Sequence, residues 1–388
     1  MNGYVGIEVA RALEDLQHLR TAWSELPWER EEAAYEYFTT RLAVRPGVIG
    51  PYAAIATAGD RPVGGLAGRL ELRKLSTAVG YKVVYAPTAR LLRVVDGGIA
   101  GADDPAVLEA LLGVVRAALA DGTADAVELP PAELGSPLLE AFTSLGGPLE
   151  RQPFITPWTR RALQLPGTFE EFVASRSSNT RWRIRRDARR LAETFGDELR
   201  VEIVRDPSAL DHLVESADRV ARTTYQRALG AGFADTPEQR ALAAVGLEHG
   251  WVRGYLLRLR DEPIAYWLCS TWRDKMLIRT AGFDTAFAEL RVGLFLLMRV
   301  IEDAIADPDI RLLDFGPGDA VYKQQFSSQS REERNTIVFA PTLRGRRLNA
   351  SRTLILAPAR GVRRVLDETG LTDRVRARWR RGAVRLRA

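Results

Sequence analysis

Residues 281–326, AGFDTAFAELRVGLFLLMRVIEDAIADPDIRLLDFGPGDAVYKQQF, decide the fold of this chain. The apolar run VGLFLLMRVIEDAIA (292–306) has the length and spacing of a buried helix. The shorter run IRLLDFG (310–316) is typical of a buried strand. An apolar strand, DKMLIRTAGFD (274–284), precedes the helix. Strand, helix and strand in this order predict an α/β protein.

The elements around this stretch complete one α/β pattern and then repeat it. In the second half we predict a helix from Ser178 to Phe195, a strand (198–206), helices at 207–229 and 237–249, two strands within 251–272 joined at Asp261-Glu262, and a closing strand at 334–341. In the first half we predict strands within 51–73, a helix from Asp104 to Ala120 and a strand at 124–130.

Prolines mark the boundary between the two halves, at positions 153, 157 and 166. We therefore expect an α/β fold with mixed sheets in two tandem domains, 1–160 and 161–342. A basic amphipathic tail, 343–388, is expected to follow.

Several pieces of the second half together resemble one known family. They are SRSSNTRWRIRRDARRL (175–191), LLRLRDEPIAYWL (256–268), Asp284 and the stretch 281–326. The chain resembles the CelD/BioF-type acetyltransferases, GNAT proteins of the cellulose-biosynthesis type that are distant relatives of the FemABX peptidyltransferases. The resemblance implies two tandem GNAT-like acyl-CoA N-acyltransferase domains and acetyl-CoA, or another acyl-CoA, as the donor.

A site for the diphosphate of that donor is expected where the helix at 292 begins. Free N–H groups converge at a helix N-terminus, and they favour anions. We therefore predict that Arg291, Val292, Gly293 and Leu294 bind the cofactor, with Gly293 allowing close approach and Arg291 adding charge. The family usually has Pro-Gly here, whereas this chain has Val292. The alternative is that Gly293 is an ordinary glycine at a helix start.

The catalytic candidates follow the next strand. By resemblance Asp314 and Lys323 line the acceptor or acyl site; Asp314 is the candidate base, and Lys323 with Tyr322 stabilises an oxyanion or an anionic sugar. Lys323 is one of four lysines among 55 basic residues. The alternative for Asp314 is a structural carboxylate that holds the glycine turn. A protein-kinase interpretation of Asp-Phe-Gly is rejected because the other kinase motifs are missing.

Substrate-binding candidates lie on the preceding helices. Arg181, with Arg185 and Arg189, forms a basic stripe that is suited to the CoA 3′-phosphate, an anionic acceptor or, in a FemABX-like enzyme, tRNA. Arg222 and Tyr225 follow on the next helix, and Asp284 is a further candidate that is better explained as a turn cap. The alternative for the stripe is a solvated face, and DNA is not an expected partner.

Composition limits the cellular setting. No run of eighteen apolar residues and no signal peptide are found, and Cys269 is the single cysteine, so we expect a cytoplasmic protein. His18, His212 and His249 are too scattered to predict a metal site. The tail, 343–388, has fourteen arginines and a net charge of +11, which suits peripheral contact with anionic lipid at the inner face of a membrane or docking against an acidic partner. The alternative is a solvated tail.

These patterns predict transfer of an acyl group, acetyl by preference, from acyl-CoA to an amine or hydroxyl of a sugar, polysaccharide or cell-envelope precursor. One alternative is a FemABX-like transferase that uses aminoacyl-tRNA. The other is a non-catalytic accessory protein of exopolysaccharide synthesis.

Overall fold

The computed structural model describes residues 5–79, 82–224 and 232–368. The strands are β1 (Val5–Ala10), β2 (Val48–Pro51), β3 (Ala53–Ala58), β4 (Arg61–Lys74), β5 (Thr77–Val79), β6 (Lys82–Tyr85), β7 (Thr88–Ala100), β8 (Ala126–Glu133), β9 (Trp158–Gln164), β10 (Leu199–Val204), β11 (Val252–Leu259), β12 (Glu262–Trp272), β13 (Lys275–Phe283), β14 (Leu312–Pro317) and β15 (Gln329–Phe339). The helices are α1 (Leu13–His18), α2 (Arg20–Glu25), α3 (Tyr35–Val44), α4 (Pro105–Ala120), α5 (Pro137–Ser144), α6 (Phe169–Ala174), α7 (Ser178–Phe195), α8 (Leu210–Thr223), α9 (Pro237–Glu248), α10 (Val292–Ala306), α11 (Val321–Phe326) and α12 (Leu343–Glu368).

The chain forms two compact units. Unit 1 comprises Met1–Tyr35, Pro46–Pro157 and Arg334–Ala388, and unit 2 comprises Glu36–Arg45 and Trp158–Glu333. Unlike the predicted ranges 1–160, 161–342 and 343–388, these units are not continuous in sequence.

Unit 1 is organised around strands in the order β1-β3-β4-β7-β8. The first three pairings are antiparallel, and β7 and β8 are parallel over Leu91–Arg93 and 126–128. Helix α4 connects β7 to β8, and its buried side chains recur at helical spacing from Val107 to Leu119. These side chains pack on the sheet and form most of the core of this unit.

Unit 2 has the same plan. Its strands follow the order β10-β11-β12-β13-β14, again with three antiparallel pairings before one parallel pairing. Beyond β14 come β9 and then residues 329–333 of β15. Helix α10 connects β13 to β14, as α4 connects β7 to β8. The shared strand order is what two tandem GNAT-like domains predict.

Helix α10 has the bounds that the apolar run predicts. Its core face consists of buried residues at helical spacing: Val292, Leu296, Leu297, Val300, Ile301 and Ala304. Each large apolar side chain that leaves water on folding contributes about 1.5–3 kcal/mol. The helix ends at Ala306, two residues before Pro308, which cannot continue it. The packing of this face on the sheet positions the N-terminal turn of α10 against β13.

Two segments make the units discontinuous in sequence. Residues 36–45 belong to unit 2, and residues from Arg334 onward belong to unit 1. Within unit 2, Glu238 binds both Arg41 and Arg45, with a distance of 2.8 Å to Arg45. Within unit 1, the side-chain amide of Asn349 donates to the carbonyl oxygens of Leu149 and Arg151. Such long-range polar contacts leave no periodic signal in the sequence.

Candidate functional site

The start of α10 is left without a side-chain cap among the described residues. Arg291, the residue before the helix, has a left-handed backbone (φ 56°, ψ 36°) and provides no capping hydrogen bond. In unit 1 the corresponding helix α4 is capped by Asp104, whose carboxylate accepts from the N–H groups of Ala106 and Val107. A carboxylate at a helix start repels a second anion, whereas an uncapped start attracts one. Of the two helix starts, that of α10 is therefore the better anion site.

Gly293, in the first turn of α10, lies in close contact with the sheet. A Cβ atom at this position would stand 2.9 Å from Cδ1 of Phe283. The carbonyl oxygen of Gly293 accepts a hydrogen bond from the indole N–H of Trp267 at 3.0 Å. The glycine therefore meets a packing requirement of the protein itself, in addition to any role toward a ligand.

Arg291 is linked to helix α7 through Asp187. Its guanidinium lies 3.2 Å from one oxygen of Asp187, and Arg186 contacts the other oxygen at 2.7 Å. A small groove beside this pair is lined by residues that include Thr180, Arg183, Leu294 and Gln325. The shared carboxylate holds Arg291 at the mouth of the groove, where its side chain is partly exposed.

The central strands of unit 2 separate close to this helix start. Strands β13 and β14 pair over only three positions, from Lys275 with Leu312 to Leu277 with Asp314. Strand β13 continues to Phe283 with β12 as its partner, while β14 turns at Gly316, whose φ is +72°. In the described residues, β13 makes no further pairing with β14 after Leu277. The space between the two strands is suited to the amides of a ligand.

Tyr322 lies beside the separated strands. Its ring is edge-on to those of Trp267 and Phe315, with centroid distances of 5.7 and 6.3 Å. Burial raises the pKa of Tyr322 to about 12, so its hydroxyl stays protonated and is a hydrogen-bond donor at neutral pH. Because Trp267 also contacts Gly293, the predicted cofactor loop and Tyr322 belong to one neighbourhood.

Asp314 is held in a buried network of charges. One of its oxygens accepts from the N–H of Gly316 at 2.8 Å, and the other pairs with Arg160 at 2.9 Å. Arg160 also binds Glu333 at 2.8 Å. A carboxylate whose two oxygens are occupied in this way is a weak base. The geometry favours the structural alternative for Asp314, in which it holds the glycine turn.

Lys323 lies on α11, and its ammonium reaches the end of β14. Its ammonium donates to the carbonyl oxygens of Pro317 at 2.7 Å and of Gly316 at 3.3 Å. Burial lowers the pKa of Lys323 to about 8, and the negative charge of Asp314 opposes this shift. An ammonium has three N–H groups, so one donor remains after these two contacts.

The other predicted site residues are engaged elsewhere or lie outside the described residues. Arg181 donates to the carbonyl oxygens of Ala174 and Arg176, and Arg222 pairs with Asp218. Asp284 caps the short 3-10 helix Thr285–Leu290, in agreement with the alternative role of a structural cap. Tyr225 lies outside the residues that the structure describes. None of these contacts points to a substrate.

Four residues of the site were missed from the sequence: Asp187, Arg160, Trp267 and Phe283. Asp187 had a signal, because it is the one acidic residue among the six arginines of 181–190. The other three had none. Arg160 reaches Glu333 across 173 positions of the sequence, and local patterns do not encode such a contact.

Comparison with known proteins agrees with this architecture. Residues 178–324 match the family model of the acetyltransferase (GNAT) domain. The fold is similar to that of FemX, with a TM-score of 0.57 and 13% identity over 86% of this chain and 97% of that chain. It is also similar to a conserved protein of unknown function from Bacteroides thetaiotaomicron, with a TM-score of 0.51 and 9% identity over 86% of this chain and 100% of the other. No curated protein matches the chain in sequence.

These findings confirm the expected fold class, a mixed α/β fold of the GNAT type, and the residues that match the acetyltransferase model lie in the second half of the chain. The narrower resemblance to CelD/BioF-type proteins stays a prediction. In the described part of the chain, no helix is long and apolar enough to span a bilayer. The same residues contain no cluster of three or more histidine, cysteine or acidic side chains placed to hold a metal ion.

Proposed function

We propose that unit 2 transfers an acyl group, acetyl by preference, from acyl-CoA to an amine or hydroxyl of a sugar, polysaccharide or cell-envelope precursor. One observation carries the proposal: the uncapped start of α10 packs on Phe283, at the end of the stretch of β13 that no longer pairs with β14. The first feature suits a diphosphate, and the second suits the amides of a pantetheine arm.

In this proposal the residues 291–294 hold the diphosphate. Val292 and Gly293 offer backbone N–H groups, Arg291 adds a charge-assisted hydrogen bond, and Leu294 lines the neighbouring groove. The pantetheine amides pair with the backbone of 278–283. This pairing directs the thioester toward the end of β14, where Tyr322 and Lys323 lie.

The acceptor nitrogen or oxygen then attacks the thioester carbonyl directly. A C–N or C–O bond forms, the C–S bond breaks, CoA leaves as the thiol, and the acceptor proton goes to that thiolate or to solvent. The protonated ammonium of Lys323 and the hydroxyl of Tyr322 stabilise the developing oxyanion. Asp314 acts indirectly, because it holds the turn whose carbonyl groups position Lys323.

The test is a thermal-shift screen of the full chain with acetyl-CoA, longer acyl-CoAs and free CoA. A ligand at a hundred times its Kd stabilises a protein by about 2.7 kcal/mol, which raises the melting temperature by several degrees. Acetyl-CoA is expected to raise it, whereas 3′-dephosphorylated or nucleotide-free thioesters are expected to act more weakly. No shift with any CoA species would contradict the proposal and favour the non-catalytic accessory role.

Aminoacyl-tRNA is the competing donor. The observation in its favour is the exposed pair Arg185 and Arg189 on α7, for which no ion pair exists among the described residues. Such a pair also suits an anionic acceptor or the CoA 3′-phosphate. Transfer of radiolabelled acetyl from acetyl-CoA, unchanged by added tRNA, would exclude the tRNA-dependent alternative.

We further propose that the basic end of the chain attaches the protein to the inner face of a membrane. Ten arginines lie in residues 355–388. Each basic residue near an anionic surface contributes about 1 kcal/mol. The beginning of α12 has a different role, because Arg344 pairs with Asp125 at 3.1 Å within unit 1.

A further inference from the structure

Unit 1 contains an open cavity of about 490 Å³ that the proposed transfer reaction does not use. It is formed by the irregular segment after α5 and by part of β15. We call it the loop cavity; its lining comes from Thr143, Pro148, residues 151–155, Pro157 and residues 334–337. The volume is in the range of small-molecule sites.

Buried polar groups without hydrogen-bond partners are concentrated in this lining. Among the described residues no partner exists for the side-chain oxygens of Gln152, Asn335 and Thr336 or for Nε of Arg334. Thr336 is only 5% exposed. A buried donor or acceptor without a partner destabilises the folded chain, so four of them in one lining require an explanation. A ligand that pairs with them would recover this cost.

The charge of the lining is positive. Arg151 and Arg334 belong to it, and no aspartate or glutamate does. In the described part of the chain neither arginine has a carboxylate within ion-pair distance. The neighbouring Glu150 is engaged by Arg346 at 2.9 Å. The loop cavity therefore favours a ligand with an anionic group.

Most of the rest of the lining is apolar. It includes prolines 148, 153 and 157 together with Phe154, Ile155 and Ile337. Phe154 has a φ of +67°, a conformation that is rare for residues other than glycine and that other contacts must maintain. Apolar walls beside amide and hydroxyl groups suit a molecule with C–H faces and hydroxyl edges.

We propose that the loop cavity binds a hydroxyl-rich small molecule with one anionic group, that is, a sugar acid or a sugar phosphate. Its hydroxyl groups donate to the oxygens of Gln152 and Asn335 and pair with Thr336, while its anionic group binds Arg334 and Arg151. The proposal depends on residues of unit 1 alone. It stands whether or not unit 2 transfers acyl groups.

The experiment is calorimetry on the full chain, without an acyl donor. The probes are glucuronate and glucose 6-phosphate, which distinguish the two sources of the anion, with glucose and inorganic phosphate as controls. We expect saturable binding of at least one acidic sugar, and binding at least tenfold weaker for both controls. Phosphate binding as tight as the sugars, or no saturable binding of either sugar, would overturn the proposal.

Three variants locate the binding. Thr336→Val removes the unpartnered hydroxyl and is expected to weaken binding of the acidic sugar at least tenfold. Thr336→Ser keeps the hydroxyl and is expected to retain binding. The matched control is Thr77→Val, because Thr77 is 2% exposed, also has a hydroxyl without a partner and lies outside the loop cavity. Equal effects of the two valine variants would place the ligand elsewhere.

A fourth variant guards against loss of folding in Thr336→Val. Arg151→Gln changes a less buried residue, and we expect it to reduce the preference for acidic sugar over glucose by at least fivefold. An unchanged preference would contradict the assignment of the anionic group to this arginine pair.

Discussion

Trp267 donates its indole N–H to the carbonyl oxygen of Gly293 at 3.0 Å, and the same indole lies edge-on to Tyr322. Trp267 is buried on β12, so it joins the start of α10 to the short helix α11. This contact fixes the distance between the proposed diphosphate site and the proposed oxyanion site.

Trp267→Phe tests this connection. Phenylalanine retains an aromatic ring and loses the hydrogen bond, so we expect the free energy of unfolding in urea to fall by about 1–3 kcal/mol. We also expect weaker acetyl-CoA binding. The control is Trp182→Phe, on the exposed face of α7, which should change stability by less than about 0.5 kcal/mol. Equal stability of the two variants would contradict the connection.

Arg291→Gly tests the cofactor loop, and Arg273→Gly is its matched control. Both arginines have left-handed backbones, with φ of 56° and 54°, so glycine relieves similar strain at both positions. Only Arg291 borders the groove beside α10. We expect acetyl-CoA to bind Arg291→Gly at least tenfold more weakly and Arg273→Gly normally, by calorimetry. Normal binding to Arg291→Gly would remove this residue from the donor site.

Asp314→Asn and Asp319→Asn compare a buried ion pair with an exposed one. Asp314 pairs with Arg160 and Asp319 with Arg161, the next residue of β9. Asp314→Asn removes one of the buried carboxylates that pair with Arg160, so we expect a loss of about 3 kcal/mol of stability. For Asp319→Asn the loss should stay below about 1 kcal/mol. A full loss of activity in Asp314→Asn with unchanged stability would instead favour the catalytic base.

Lys323 predicts a pH dependence of stability. The pKa of Lys323 is about 8 in the folded chain and 10.5 for an ordinary lysine, so between these values the unfolded chain binds more protons. Stability contributed by Lys323 therefore rises with pH across this window. We expect this rise to be missing in Lys323→Met and present in Lys275→Met, whose lysine is exposed, in urea melts from pH 7 to 10. Identical profiles for the two variants would contradict the burial of the ammonium.

The ammonium of Lys323 also predicts how the activity depends on pH. If protonated Lys323 stabilises the oxyanion, kcat falls as pH rises through about 8, because the ammonium loses its proton. Lys323→Arg keeps the charge and should move this fall to higher pH. The measurement is release of CoA thiol from acetyl-CoA. A wild-type kcat that rises through pH 8 would assign Lys323 as a base.

A truncation tests membrane attachment without damaging unit 1. Leu354 is 74% exposed, whereas Asn349 is buried and bonded to the loop before β9, so removal of residues 355–388 spares the hydrogen bonds of Asn349. We expect unchanged stability and loss of co-sedimentation with phosphatidylglycerol vesicles at low salt. The full chain should not co-sediment with phosphatidylcholine vesicles. Retained binding to anionic vesicles after truncation would contradict the proposal.

The sequence predicted the parts of the fold that local patterns encode. Helices α7 and α10 have the predicted bounds because a long apolar face with helical spacing identifies a helix, and Asp104 and Pro105 marked the start of α4. The assignment of Glu36–Arg45 to unit 2 was not predicted. It depends on ion pairs with Glu238, a residue almost two hundred positions away in the sequence.

The candidate site was predicted less completely for the same reason. The loop at 291–294 was predicted from the order of residues at one helix start, and the pair Tyr322 and Lys323 was predicted from the family resemblance. The environment of Asp314 does not, since Arg160 and Glu333 come from strands distant in sequence. Charge partners decide whether a carboxylate is a base or a structural group, and the residue type alone leaves both roles open.

The interleaved composition of the two units has a consequence for biosynthesis. Unit 1 needs residues from Arg334 onward, so it stays incomplete on the ribosome until nearly all of the described chain has emerged. Unit 2 is complete once Glu333 has left the exit tunnel. Although domains commonly fold in the order of their synthesis, the first half of this polypeptide has to wait for β15 and α12. Chaperone dependence during translation should therefore fall on unit 1.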